Sequence, residues 1–215
     1  MSGEEREELE REIRRRLDQQ DWTAAATLAI QGYGAEIFGF LLAFHRDEED
    51  AAEVFSLFSE RLWRDLSTFH GDCSFRTWAY VLARHAALNY RRDARRRQQR
   101  RRSLPEGSAV SALSALVQQV RSDTASYLRS ERKERFRALR ESLPLEDQAL
   151  LVLRVDRELA WNDLALVLNE QEGPLGEADL KREAARLRKR FQALKARLLE
   201  LGRLAGVASA GWKGE

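Results

Sequence analysis

Phe69–Arg92 reads FHGDCSFRTWAYVLARHAALNYRR, a loop that turns into a helix within one residue. Gly71 suits a turn, and Ser74 is a residue type whose side-chain oxygen caps a helix N-terminus. The spacing predicts a helix from Phe75 to about Arg97. Upstream, Val54, Phe55, Phe58, Leu62 and Leu66 recur at spacings of one, three and four, which predicts a helix over 51–66 with one buried face. Asp47 and Asp50 bracket carboxylates at its first turn, the end of the helix dipole that favours them. Apolar residues dominate 22–44. Residues 4–20 alternate in charge with only Leu9, Ile13 and Leu17 spaced four apart, a weakly amphipathic helix or a charged arm to which no function is assigned.

Downstream, Ser103 to about Asp123, with Pro105, Gly107 and a small-residue run, reads as a linker. A helical stretch over 130–142 breaks before Pro144, which can open the next helix at Leu145–Arg157. A short helix over 159–169 carries Trp161, Leu164, Ala165 and Leu168 on one face, and the turn EQEGPLG follows. Leu180, Ala184, Leu187, Phe191, Leu194, Leu198 and Leu201 then repeat at alternating spacings of four and three, a heptad seam on one long helix. No sustained two-residue alternation bounded by hairpin turns occurs. The expected fold is all-α, with two small helical domains: a charged arm over 1–20, a first domain over 21–102, a linker over 103–129, a second domain over 130–202 and a tail over 203–215.

Composition narrows the function. With 33% charged residues, 43% hydrophobic residues and 3 Pro, a collagen-like or wholly disordered chain is excluded. The lone Cys73 makes no internal disulfide, and the absence of CxxC and HxxxH spacings argues against a Cys/His metal site. No cofactor is expected, and the enzyme motifs of phosphate loops, HExxH and GxSxG are missing; Gly32 and Gly34 in QGYGAE lack the third glycine of a dinucleotide fingerprint. The N-terminus has no apolar signal core, and charge interrupts every apolar run before about 18 residues. The expectation is a cytoplasmic protein without membrane insertion.

The 37 Lys and Arg and 35 Asp and Glu leave a net charge of only +2, yet the signs separate into blocks. Arg46–Asp50 reads RDEED. Arg91–Arg102 reads RRDARRRQQRRR, eight Arg against one Asp. A second basic block runs from Lys181 to Arg197 on the face opposite the heptad seam. Clustered Arg releases counterions from phosphates, so two such blocks on helices point to nucleic acid. A short helix, a turn and a helix with a basic outer face is also the order of a helix-turn-helix reader.

These residues carry a family resemblance. Phe69–Arg92, preceded by RLWRDL at Arg61–Leu66, resembles domain two of bacterial RNA polymerase sigma factors of the extracytoplasmic-function (ECF) group: an acidic turn, an apolar helix ending in an aromatic, a loop of FRG-S-FR-TW type, then a helix ending in Arg. SLPLEDQALLVLR at Ser142–Arg154 and LAWNDLALVL at Leu159–Leu168 resemble domain four of the same family. The resemblance implies a transcription initiation factor that binds core RNA polymerase and promoter DNA, nucleates strand opening, performs no bond chemistry and is held in check by an anti-sigma factor. It places the 70–74 loop and the helix face carrying His85 and Asn89 at the flipped bases of the minus-ten element and Arg84, Arg91 and Arg92 at phosphates, with Phe75 and Arg76, just after the loop, as further DNA-binding candidates. Trp78, at helical spacing from Leu82, reads as core. Lys181, Arg182 and Arg186 become candidates for the minus-thirty-five element, and Glu53, Leu57 and Glu60 for polymerase docking.

The chain also departs from the family pattern. Ser56-Leu57 stands where a Gln-Glu pair is common, His85 where Asn is frequent, Glu183 where an Arg meets DNA, and the turn at 169–176 is longer than usual with Pro174 inside. These departures keep other readings open. One is an interaction protein that retains the sigma fold with altered or lost promoter recognition, its heptad seam serving dimerisation; another is a stand-alone helix-turn-helix regulator.

Overall fold

The passage from loop to helix falls where Ser74 places it. In the computed structural model, which describes residues 1–97, 119–120, 142–169 and 175–204, a helix begins at Phe75. The described elements are α1 (Gly3–Asp18), α2 (Trp22–His45), α3 (Glu48–Asp65) with a 3-10 turn at Leu66–Thr68, α4 (Phe75–Arg97), α5 (Leu145–Leu151), α6 (Trp161–Val167) and α7 (Glu177–Leu204). No strand occurs among the described residues, so the all-α expectation holds. The expected helix over 130–142, most of the linker and the tail beyond Leu204 lie outside them. The chain divides into two compact units, Met1–Ser126 and Tyr127–Glu215.

In the first unit α2 is the central helix. It is long and apolar enough to cross a membrane, but more than half of its most apolar window is buried by the helices around it. Ile30, Tyr33, Ile37, Phe38, Phe40, Leu41 and Phe44 are all almost fully buried. Aromatic edges knit the layers: Phe38 meets Phe55 of α3 at 5.4 Å, and Phe40 meets Tyr80 of α4 at 5.7 Å between ring centroids. Glu36, the charge that interrupts the apolar run of α2, takes both oxygens to the guanidinium of Arg76 at 2.6 and 2.9 Å. Both partners are largely buried, and removing one alone would cost about 3–5 kcal/mol by stranding the other charge.

Residues 3–18 form a helix and not an arm. Ser2 and Glu5 make a reciprocal capping box at its start. Ile13 is fully buried, and Leu9 lies where a Cβ on Gly32 of α2 would stand, so Gly32 exists for the close approach of α1. Gly34 serves similarly on the other side, with Val120 and Phe55 side-chain atoms 3.3 and 3.4 Å from its would-be Cβ. The glycines of QGYGAE are packing residues. Asp21 and Asp47 cap α2 and α3 through the amides of Ala24 and Asp50.

In the second unit α5 runs on into a widened π-type turn at Val152–Asp156, shorter and less regular than the helix expected through Arg157. Gln148, buried, donates to the Leu143 carbonyl at 2.9 Å and so fixes the bend at Pro144. The heptad seam of the 28-residue α7 faces its own unit: Ala184, Leu187 and Leu194 are buried, and Phe191 and Leu198 pack on the cluster of Leu143, Leu151 and Leu194. Arg190 pairs with Asp147 of α5 at 2.6 Å. Trp161 meets Phe191 edge-on at 5.7 Å, with the guanidinium groups of Arg154 and Arg188 over its ring at 4.8 and 5.6 Å. This seam is spent on intradomain packing, which removes the sequence argument for dimerisation through it.

Two expectations follow. Glu158 sits at φ 55°, left-handed backbone that costs an L side chain about 1–2 kcal/mol. Glu158→Gly should stabilise the second unit by about 0.5–1 kcal/mol after the larger unfolded-state entropy of Gly is subtracted, read as a higher denaturation midpoint. His45, at the end of α2, has its Nε2 buried without a hydrogen-bond partner among the described residues. Burial holds its pKa below the ordinary histidine value, against the opposing pull of Asp50. The unfolded chain therefore binds a proton that the folded one resists, and stability falls as pH drops below about 6.5 until folded His45 itself protonates. His45→Phe should flatten that part of the stability profile; an undiminished slope would assign it to other groups.

Candidate nucleic-acid interface

The site is built around the N-terminus of α4. A helix start leaves its first amides without intrahelical acceptors. Here each has one. Phe75 N donates to Glu10 Oε2 at 2.8 Å, Arg76 N donates to Glu10 Oε1 at 2.9 Å, and Thr77 N donates to Ser74 Oγ at 3.0 Å. Trp78 N donates to the Ser74 carbonyl at 3.1 Å, closing the first helical turn. Ser74 is thus the expected cap, and Glu10, 65 residues away from Phe75, supplies the other half. Tyr33 Oη also donates to Glu10 Oε1, at 2.7 Å. Burial first, and this bond second, push the Tyr33 phenol well above its usual pKa.

Three rings pack together where the loop ahead of the cap begins and ends. Phe69, Phe75 and Trp78 lie with centroids 5.2–5.3 Å apart. Gly71 adopts φ +82°, and Arg14 Nη2 of α1 lies 3.0 Å from the position its Cβ would take. His70, Asp72 and Ser74 are exposed at the rim.

The expected site residues divide by burial. Asn89 and Arg92 are exposed and His85 is half-buried, all on the outer face of α4, with Arg92 Nη2 donating to Asn89 Oδ1 at 2.7 Å. Arg91 is half-buried with its guanidinium over the Phe44 ring at 5.7 Å, so part of its reach is committed to packing. Phe75, Arg76 and Arg84 are corrections. Phe75 is only 1% exposed inside the ring cluster, Arg76 is 7% exposed and tied to Glu36, and Arg84 is 1% exposed. These side chains have no surface to offer a base or a phosphate; helical spacing turns them inward. Trp78, read as core, is only half-buried, and with Val81 and Leu88 it joins His85, Asn89 and Arg92 in one partly exposed line. That line starts at the loop and runs toward the Arg-rich block, whose residues beyond Arg97 lie outside the described ones.

On α3, Glu53 and Glu60 are exposed and Leu57 is half-buried, and helical spacing places all three on the outer face. Sequence reasoning missed Trp63, which lies along the same face and is 44% exposed, an unusual cost for so large an apolar ring. On α7, Lys181, Arg182 and Arg186 are exposed as expected, but each meets a carboxylate of its own helix. Lys181 pairs with Glu177 at 2.6 Å, Arg182 pairs with Asp179, and Arg186 is gripped by both oxygens of Glu183 at 2.6–3.0 Å. Such exposed pairs contribute little to stability and are open to exchange for a phosphate.

Residues 29–97 match the family Sigma-70 region 2, a span that takes in most of α2, all of α3, the loop and α4. Over 169 residues the chain is 26% identical to the RNA polymerase sigma-H factor of Pseudomonas aeruginosa, an overlap that covers 75% of this chain and 83% of that protein. It is 29% identical over 140 residues to the RNA polymerase sigma factor YlaC of Bacillus subtilis, covering 63% of this chain and 75% of that one. The matched region is the one that carries the capped helix, the ring-flanked loop and the outward-facing line of α4. Residues 29–97 are thus a Sigma-70 region 2, and the chain as a whole is similar over most of its length to RNA polymerase sigma factors.

Proposed function

We propose that the chain acts in the cytoplasm as a sigma factor of the ECF group, docking on core polymerase through the outer face of α3 and holding the melted minus-ten strand along the 70–74 loop and the outer face of α4. The observation that carries this reading is the partly exposed line Trp78, Val81, His85, Leu88, Asn89 and Arg92. It mixes a ring and apolar side chains, suited to unstacked bases, with polar groups and a cation suited to base edges and backbone. His85 and Asn89 take the base contacts, Arg92 and the exposed part of Arg91 take phosphate, and polymerase supplies the chemistry. Glu53, Leu57, Glu60 and Trp63 form the docking face, and an anti-sigma factor is the regulatory partner that would cover it.

Lys181, Arg182 and Arg186 on α7 are proposed for the minus-thirty-five element. Their pairing with Glu177, Asp179 and Glu183 favours weak contact there, with initiation depending mainly on the first unit. The test is reconstitution with core RNA polymerase followed by selection of transcribed sequences from a randomised promoter library. Start sites sharing two spaced elements support the full reading; a single element upstream of the start supports the reading with α7 in a minor role. Stable polymerase binding without specific initiation would instead identify a regulator that occupies the docking site.

Two variants sharpen this. Trp63→Ala should weaken polymerase binding at least about tenfold, as loss of a buried interface Trp does, and leave the melting temperature nearly unchanged because the ring is exposed in the free protein. Glu183→Gln releases Arg186 and removes a repelling charge, so affinity for duplex minus-thirty-five DNA should rise and its salt dependence steepen by about one counterion.

A further inference from the structure

Glu10 and Arg14 lie one turn apart on α1, outside the matched residues 29–97, and both reach the segment that enters α4. Glu10 joins three elements at one carboxylate: its own helix, Tyr33 of α2 at 2.7 Å, and the first two amides of α4 at 2.8 and 2.9 Å. The Arg14 guanidinium lies beside Gly71 of the loop, 3.0 Å from where a Cβ there would stand. The entry to α4 is therefore fixed by the packed rings of Phe69, Phe75 and Trp78, by the Ser74 cap and by Glu10 of α1.

We propose that Glu10 is a positioning residue for promoter recognition, setting the place of the 70–74 loop relative to α4 so that a flipped base is discriminated; this rests on the promoter-opening role proposed above. The physical reason is tolerance. A site that distinguishes bases by hydrogen bonds must hold its donors and acceptors to within about half an ångström. Ser74 alone satisfies one amide, and water could satisfy the other two, but water would leave α1, α2 and α4 free to shift against one another. A carboxylate at the positive end of a 23-residue helix makes charge-assisted bonds that are shorter and stronger than neutral ones, and it ties the three helices at the point where the loop ends. Arg14 approaches Gly71 of the loop from the same face of α1, one turn further on.

The test uses holoenzyme reconstituted with core polymerase on forked promoter templates that carry each of the four bases at the flipped position of the selected minus-ten element. The readout is the affinity ratio between the preferred and the least preferred base. Glu10→Ala should bind polymerase as the parent does and lose about tenfold in this ratio, with Glu10→Gln, which keeps one acceptor, falling between. Arg14→Ala should lose a smaller part. Arg91→Ala, as a phosphate-contact control whose guanidinium packs on Phe44 and not on a base-reading side chain, should weaken binding to all four bases alike and leave the ratio unchanged. Glu10→Gln preserves shape and carries the test if the alanine variant fails to assemble. A parent holoenzyme with clear base preference and Glu10 variants with the same preference would reduce Glu10 to a structural cap. A parent without base preference at that position would overturn the promoter reading itself, and the role of Glu10 with it.

Discussion

The carboxylate of Glu10 at the N-terminus of α4 is the contact on which the arrangement of the first unit turns. A long helix directed at a site needs its first amides satisfied without burying them, and the acceptor chosen decides what the helix is fixed to. Had Ser74 been the sole cap, α4 would be anchored to its own loop. Because Glu10 takes two amides and the Tyr33 hydroxyl, α4 is anchored to α1 and α2 as well. The ion pair of Glu36 and Arg76 lies one residue into the same helix and fastens it to α2 a second time. The loop and the outer face of α4 are thereby mounted on a frame that cannot shift piece by piece.

Arginine does three different jobs in this chain. Arg76 and Arg84 are interior residues, one neutralised by Glu36. Arg154 and Arg188 bracket the ring of Trp161, where a flat cation stacks and a lysine would not do the same work. Arg92 and the row on α7 stand exposed at the surface. A basic block read from sequence as a polyanion surface thus overstates the charge a phosphate meets, because burial and local carboxylates remove part of it. On α7 that removal is systematic, since each of Lys181, Arg182 and Arg186 has an acidic residue three or four positions earlier.

The outer face of α3 shows the opposite imbalance. Burial of Val54, Phe55, Phe58 and Leu62 completes the inner side of α3, so Trp63 is surplus to the core. Its exposure one turn beyond Glu60 gives α3 a large apolar feature on a face otherwise carrying charge.

Sequence by itself determined most of the helices and the buried faces of α3 and α7. Period and capping residues are local properties, so the start of α4 at Phe75, the buried side of α3 and the heptad seam of α7 were all legible in it. The outer-face residues His85, Asn89 and Arg92 were legible for the same reason, through a resemblance confined to a contiguous stretch. Tertiary structure alone decided what α1 does, because Glu10 acts on amides 65 residues away and nothing in a weak, alternating charge pattern marks its partner. It alone decided that Phe75, Arg76 and Arg84 face inward, since which side of a mixed helix is buried depends on the helices packed against it, and that the seam of α7 closes on Leu143 and Leu151 instead of on a second chain. Local spacing writes the elements; contacts between distant residues assign their roles, because a hydrogen bond or an ion pair between helices leaves no periodic trace in either one.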